Sequence, residues 1–353
     1  MTIDNHIIYI LLSSIPVCME IRKVQISGGS SFIVSLPKKW IKSTNIKKND
    51  PVGLVVQPDG TLLITPNISG DYSQRVWEFE ASATTDRAYL LRCLIGAYIA
   101  GYTTIRIRAE GRLPPFILGL VREFTSSAIG QEVVEETETA IVIRDLLNPA
   151  EMPFENTLRR MSVIVRGMYE DAITSLAQGD KRLAEDVISR DTDVDRLHWL
   201  IARQNSLIAN DVNLSRKMNV PVSLSEHYFL VSRIIERIAD HSTRVAHYSL
   251  QLIGKEIDPG IVTMIGEAGS LANDVFTRSM DSLYEEDIKK ANATIERIQK
   301  LEMQCREIST KALSYDAGIA IQIVHISDSL RRIGDYSADI CEAVMNHLVG
   351  EIA

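Results

Sequence analysis

Two stretches of this chain, 95 residues apart, carry one helical pattern, and that repeat narrows most sharply what the chain can fold into. Glu236-Arg-Ile-Ala-Asp240-His-Ser-Thr-Arg244-Val-Ala-His247 aligns with Arg331-Arg-Ile-Gly-Asp335-Tyr-Ser-Ala-Asp339-Ile-Cys-Glu342. Ala177-Gln-Gly-Asp180 aligns likewise with Tyr284-Glu-Glu-Asp287, 107 residues on. From about residue 151 the pattern is helical throughout. Breaks fall near Gln178-Gly179-Asp180, Asn219–Pro221, Asp258-Pro259-Gly260, Glu285-Glu286-Asp287 and Tyr315–Gly318. These predict six long helices, arranged as two all-α three-helix bundles over 151–256 and 257–353. The different offsets make the connection between second and third helices about twelve residues shorter in the second set.

The first 150 residues read differently. Over 71–150 the order is strand, helix, strand, helix, strand, strand: Arg75–Glu80, Thr85–Tyr102, Thr103–Arg108, Pro114–Ile129, Gln131–Glu136 and Thr139–Asp145. That order predicts a small α/β sandwich, with Leu90, Leu91, Leu94, Ile95 and Tyr98 on the apolar side of its first helix. No Gly-rich phosphate loop accompanies it. Residues 19–70 read as a small all-β head around one short helix. Ile21–Ser27 and Ser31–Leu36 flank a Gly28-Gly29-Ser30 turn. Pro37 opens a helix over Lys38–Lys42, and Asp59-Gly60 joins Val52–Gln57 to Thr61–Thr65 as a hairpin. The last two runs lack clean alternation, so both faces should be covered, and so short a segment cannot cover both alone. A second copy is therefore expected. Residues 1–18 hold an apolar run, Ile7–Val17, with no preceding Lys or Arg. They are expected to be a non-structural extension, with Met19 a sufficient start.

Charge divides the chain further. The net charge is −8, yet residues 20–49 hold Arg22, Lys23, Lys38, Lys39, Lys42, Lys47 and Lys48 against Glu20 alone. A basic head on an acidic body points to two different ligands. Lysines on a paired β unit suit the phosphates of duplex DNA. They would also serve plain solubility, although the body already supplies ample charge.

In the helical repeat, carboxylates recur at i, i+4 and i+7 and so share a face. Asp191 and Asp195 lie on the second helix of the first set, Glu236 and Asp240 on its third. Asp335, Asp339 and Glu342 form the counterpart in the second set. Opposed carboxylate pairs can hold a divalent or trivalent cation. They can equally be a solvated face, since Arg244 is four residues from Asp240 and Arg331 four from Asp335. The second set is the weaker candidate: Ile298 and Arg331 stand where the first has Asp191 and Glu236. His198, His247 and Cys305 lie near these faces and read more simply as surface or core residues.

No nucleophile motif, zinc-protease motif or Glu-x-x-His pair occurs in the helical half, so an enzyme is not expected. Aromatic residues make up 6% of the chain, too few for stacking platforms on single-stranded nucleic acid. No apolar run reaches the length of a membrane span. The four cysteines form no C-x-x-C pair, which excludes a zinc ribbon or disulfide framework and suits a reducing cytoplasm.

Two resemblances sharpen this reading. Arg22-Lys-Val-Gln-Ile-Ser-Gly-Gly-Ser-Ser-Phe-Ile-Val-Ser-Leu-Pro-Lys-Lys-Trp40, with Ile46-Lys-Lys-Asn-Asp50 and the Asp59-Gly60 hairpin, resembles the AbrB/MazE swapped-hairpin domain. That resemblance implies a homodimer through the head that holds double-stranded DNA by basic side chains. Residues 155–350 resemble PhoU, the phosphate-signalling regulator, whose signature on the third helix of each repeat runs Glu-Arg-Ile-Gly-Asp with a later Asn and Glu. Here Arg244 and His247 stand at the later places of the first copy, and Arg331 and Asp339 depart from the pattern in the second. The resemblance implies carboxylate-bound metal ions of the iron or zinc class. The combination is similar to archaeal PhoU-like proteins with a fused AbrB-type head. It implies a cytoplasmic DNA-binding regulator of phosphate uptake. The alternative it leaves is a non-transcriptional adaptor that restrains phosphate transporter components, its head serving only for dimerisation.

Overall fold

The computed structural model describes residues 20–57, 60–66, 68 and 75–352. The extension over 1–18, the start at Met19, and Pro58 and Asp59 of the hairpin turn lie outside the described residues. The chain divides into two compact units, Met1–Asp71 and Tyr72–Ala353.

In the first unit, β1 (Gln25–Ser27) and β2 (Ser31–Ile33) pair antiparallel with Ser27 opposite Ser31. Gly28 and Gly29 carry φ of 63° and 84° in the turn between them, a conformation that excludes a Cβ without strain. Both strands are shorter than the apolar runs predict, because pairing stops where the partner strand ends. Helix α1 covers Lys38–Ser43, with Pro37 at its N-cap rather than inside the first turn. Strands β3 (Gly53–Val56) and β4 (Leu62–Thr65) form the second hairpin, closed by Gln57 N–H to Thr61 O at 2.9 Å. No described residue of this unit is buried.

The second unit begins with a four-stranded sheet in the order β5-β6-β8-β7. Strands β5 (Val76–Glu80) and β6 (Thr104–Arg108) are parallel, joined by helix α2 (Arg87–Ile99). Strands β7 (Gln131–Glu136) and β8 (Ala140–Asp145) complete it antiparallel, after helix α3 (Phe116–Ser127). Asp86 starts α2 by accepting from Tyr89 N–H at 2.7 Å, a side-chain cap. Leu90, Leu94 and Tyr98 from α2 and Leu120 and Phe124 from α3 bury against Ile105, Ile107 and Ile143 of the sheet. Leu91 and Ile95 are only partly covered.

Seven helices follow. The first set is α4 (Phe154–Gln178), α5 (Lys181–Asn210), α6 (Val212–Met218) and α7 (Val222–Leu252). The second is α8 (Pro259–Glu285), α9 (Ile288–Ala312) and α10 (Ala317–Ile352). The short α6 fills the longer connection of the first set. One apolar core runs through both sets, because α7 packs on α10 and α4 on α8 as well as on their own neighbours.

The repeat extends to its turns. Asp180 and Asp287 each cap the next helix by accepting from two backbone N–H groups. The residue before each cap is left-handed: Gly179 at φ 69° and Glu286 at φ 52°. Glycine bears that conformation freely and glutamate does not. Glu286→Gly is expected to stabilise the protein by about 1 kcal/mol, read as a higher urea midpoint with an unchanged slope.

The α/β layer is fixed to the body by α5. Arg203 is buried and donates to the Tyr98 carbonyl and to Asp145 Oδ2. Its neighbour Gln204 donates to the carbonyls of Pro149 at 2.9 Å and Met152 at 2.7 Å.

Candidate functional site

In the head, Arg22, Lys23, Lys38, Lys39, Lys42, Lys47 and Lys48 are all exposed. Three of them, Lys38, Lys39 and Lys42, share helix α1, where Lys42 lies at i+4 from Lys38 and at i+3 from Lys39. Among the described residues only Arg22 of the seven forms a salt bridge, with Glu20. The apolar side chains of the same unit are also uncovered. Ile21 is 88% exposed, Phe32 75%, Val56 75% and Ile26 69%. A single copy thus leaves a hairpin pair with no core, and an apolar patch of this kind marks a surface for association.

In the body, Asp191 and Asp195 on α5 face Glu236 and Asp240 on α7, because both pairs lie on the strip where these helices meet. The four half-buried carboxylates sense one another. Burial and then the charge of Asp191, Glu236 and Asp240 push the Asp195 carboxyl up to about 7. Asp191 is raised by burial and by Asp240, and Glu236 by burial and by Asp240. Burial raises Asp240 too, against the opposing pull of Arg244 and Arg237. Repulsion of this kind is what a bound cation relieves. Among the described residues no three His, Cys, Asp or Glu side chains converge closely enough to enclose a metal ion. The strip gathers negative charge but, as placed, does not form a closed set of metal ligands.

The second repeat differs as its sequence suggests. Arg331 binds Asp335 and Asp328, each at 2.7 Å, so one of the acids is already neutralised. Asp339 is raised by burial and by Glu342 and Asp335, which leaves those three acids as a looser exposed group.

His198 is engaged elsewhere: its Nδ1 lies 3.0 Å from Ser232 Oγ and its ring stacks on Phe229 at 5.8 Å. Cys305 is a buried thiol pushed up to about 11 by burial, a core residue. Sequence reasoning passed over His241, which is 7% exposed with Nδ1 unpartnered. It also passed over Arg233, Arg237 and Arg332, which read on a helix as ordinary solvated charge. What gathers them is the packing of α5, α7 and α10, and no spacing within one helix reports that.

Comparison with known proteins agrees with this division. Residues 158–249 and 265–344 match the PhoU domain, and residues 25–71 match the family described as antidote-toxin recognition MazE, bacterial antitoxin. The phosphate-specific transport system accessory protein PhoU homolog of Caulobacter vibrioides is 23% identical over 198 residues, covering 54% of this chain and 85% of that protein. The homolog of the same description from Clostridium acetobutylicum is 22% identical over 209 residues, covering 55% and 90%. The crystal structure of the phosphate transport system regulatory protein PhoU from Streptococcus pneumoniae superimposes with a TM-score of 0.50 at 19% identity, covering 57% of this chain and 95% of that one. All three matches fall short of the full chain, as expected for a body with added front segments. The chain carries a MazE-type head followed, beyond an α/β layer, by a PhoU-like helical body in two repeats.

Proposed function

We propose that the protein is a dimeric, DNA-binding regulator of phosphate uptake, in which the head holds duplex DNA and the PhoU-like body carries the regulatory input. The observation that carries the reading is the pairing, in one small unit, of six unpaired basic side chains with an apolar surface that a single copy cannot cover. A second copy covers the apolar surface and doubles the basic one. A two-fold arrangement of that kind matches the two-fold of a duplex. The body is non-catalytic in this reading. Its phosphate connection rests on the relatives, whose names place them with phosphate-specific transport.

The strip of Asp191, Asp195, Glu236 and Asp240 is the body's cation site, and Asp335, Asp339 and Glu342 are a weaker one. An all-carboxylate donor set suits a hard cation, and the resemblance to PhoU points to the iron or zinc class. When bound, such a cation offsets the repulsion within the strip and ties α5 to α7.

The head is tested by binding of the full chain to duplex DNA from its own genome over a range of salt. Each phosphate contact contributes roughly 0.9 to the slope of log K against log salt. Lys38→Ala/Lys39→Ala is expected to lower that slope by about 2 to 4 in the dimer, because each change is made twice. Unchanged affinity and slope in this variant would remove the DNA-binding reading.

A further inference from the structure

A cleft of about 550 Å³ opens where α5, α7, α10 and the end of α2 meet. Arg233, Arg237 and Arg244 of α7 line one side and Arg332 of α10 the other, with Trp199 and Tyr336 between them. Among the described residues, Arg233, Arg244 and Arg332 form no salt bridge or hydrogen bond, and Arg237 reaches only the Tyr336 hydroxyl at 3.4 Å. The cleft also holds Glu236, Asp240 and Asp328, but Asp328 is already bound by Arg331. Four arginines against three acids leave one positive charge in excess among the lining side chains, on a body whose net charge outside residues 20–49 is strongly negative. The buried ring of His241 lines the same cleft, and its Nδ1 has no partner within the protein. A buried polar atom without a partner is costly and calls for a ligand or water.

We infer that this cleft binds the polyphosphate chain of a small ligand. Guanidinium groups pair in planar, two-point fashion with phosphate oxygens, and none of these four is held in a salt bridge within the described residues. Length distinguishes a chain from a single phosphate. Arg233 and Arg244 are eleven residues apart on one helix, a rise of about 16 Å, so one tetrahedral anion meets only some of the four. Linked phosphates reach more of that row than a single one does. Trp199 and Tyr336 offer aromatic faces on which a nucleobase attached to the chain can stack. The cleft belongs to the second unit and the basic residues 22–48 to the first.

The test is calorimetric titration of the chelator-treated full chain with ATP, inorganic tripolyphosphate, orthophosphate and sulfate. Saturable binding of ATP or tripolyphosphate, at least tenfold tighter than orthophosphate or sulfate, is expected. Tighter ATP binding identifies a nucleotide as the source, and equal binding identifies the bare chain. Arg244→Gln and Arg332→Gln should each weaken binding roughly 10- to 100-fold, the worth of a charge-assisted contact. Both should keep the wild-type melting temperature within 2–3 °C, because neither side chain is paired. The control is Lys38→Ala/Lys39→Ala, which should bind these ligands like wild type. The inference is overturned by absence of saturable binding, by no preference over orthophosphate and sulfate, or by binding that the head variant abolishes and the cleft variants leave intact. DNA binding by the head is measured separately and does not depend on this outcome.

Discussion

Arg203→Ala is expected to destabilise the second unit by about 3–5 kcal/mol, the largest single effect foreseen here. Arg203 is 2% exposed and its partner Asp145 6%. The guanidinium donates to Asp145 and to the Tyr98 carbonyl, and lies 4.9 Å from the centre of the Tyr98 ring. Removing it strands a buried carboxylate, which burial already raises above the usual range and Arg203 pulls back down. The penalty comes mostly from that stranded charge. Arg203→Met with Asp145→Leu should therefore recover most of the loss, since apolar replacement of a whole buried pair is close to neutral. Urea unfolding of the single and double variants reads both terms. A loss below about 1 kcal/mol in Arg203→Ala would mean that water reaches the pair.

The second large effect belongs to Asp195. Its carboxyl is pushed up to about 7 in the folded protein, whereas in the unfolded chain it keeps an ordinary carboxylate value. Between those two values the folded state binds the proton and the unfolded state does not. Stability of the metal-free protein should therefore fall as pH rises through this window. The shift has a ceiling of about 4 kcal/mol, and solvent screening of the half-open strip reduces it to about 2 kcal/mol. Asp195→Asn should stabilise chelator-treated protein by that amount at pH 8 and leave it unchanged near pH 4. With iron present the sign should reverse at pH 8, because the variant loses a ligand as well as a repulsive charge. Melting curves of both proteins at two pH values, with and without metal, give all the arms. Stabilisation of the variant in every condition would leave the strip as a solvated acidic face.

The legible part of the fold was what periodicity encodes. The six long helices from α4 to α10 and the longer connection that holds α6 follow from an apolar stripe broken by turn residues. The α/β order also follows, because its strands alternate and its helices begin at Asp86 and Pro115. The continuous core across the two repeats did not follow: α7 is apolar enough to pack within its own set, and only assembly shows it also touching α10. For the same reason the carboxylate strip was readable, being a pattern within single helices, while the arginine cleft was not. Arg233, Arg237 and Arg332 look like ordinary surface charge until the packing of α7 on α10 sets them around one cleft. The departure of the second repeat was readable in one residue, Arg331, which contacts Asp335 and Asp328.

The central claim is that head and body act together on DNA in response to phosphate, and genome-wide capture of the tagged chain tests it most directly. Cells grown with ample and with limiting phosphate would be compared, for wild type and for Lys38→Ala/Lys39→Ala. The account predicts discrete occupied sites upstream of phosphate-uptake genes, occupancy that changes with phosphate, and loss of those sites in the variant. Uniform background in both strains, with the wild-type chain instead co-purifying with a phosphate transporter, would contradict it.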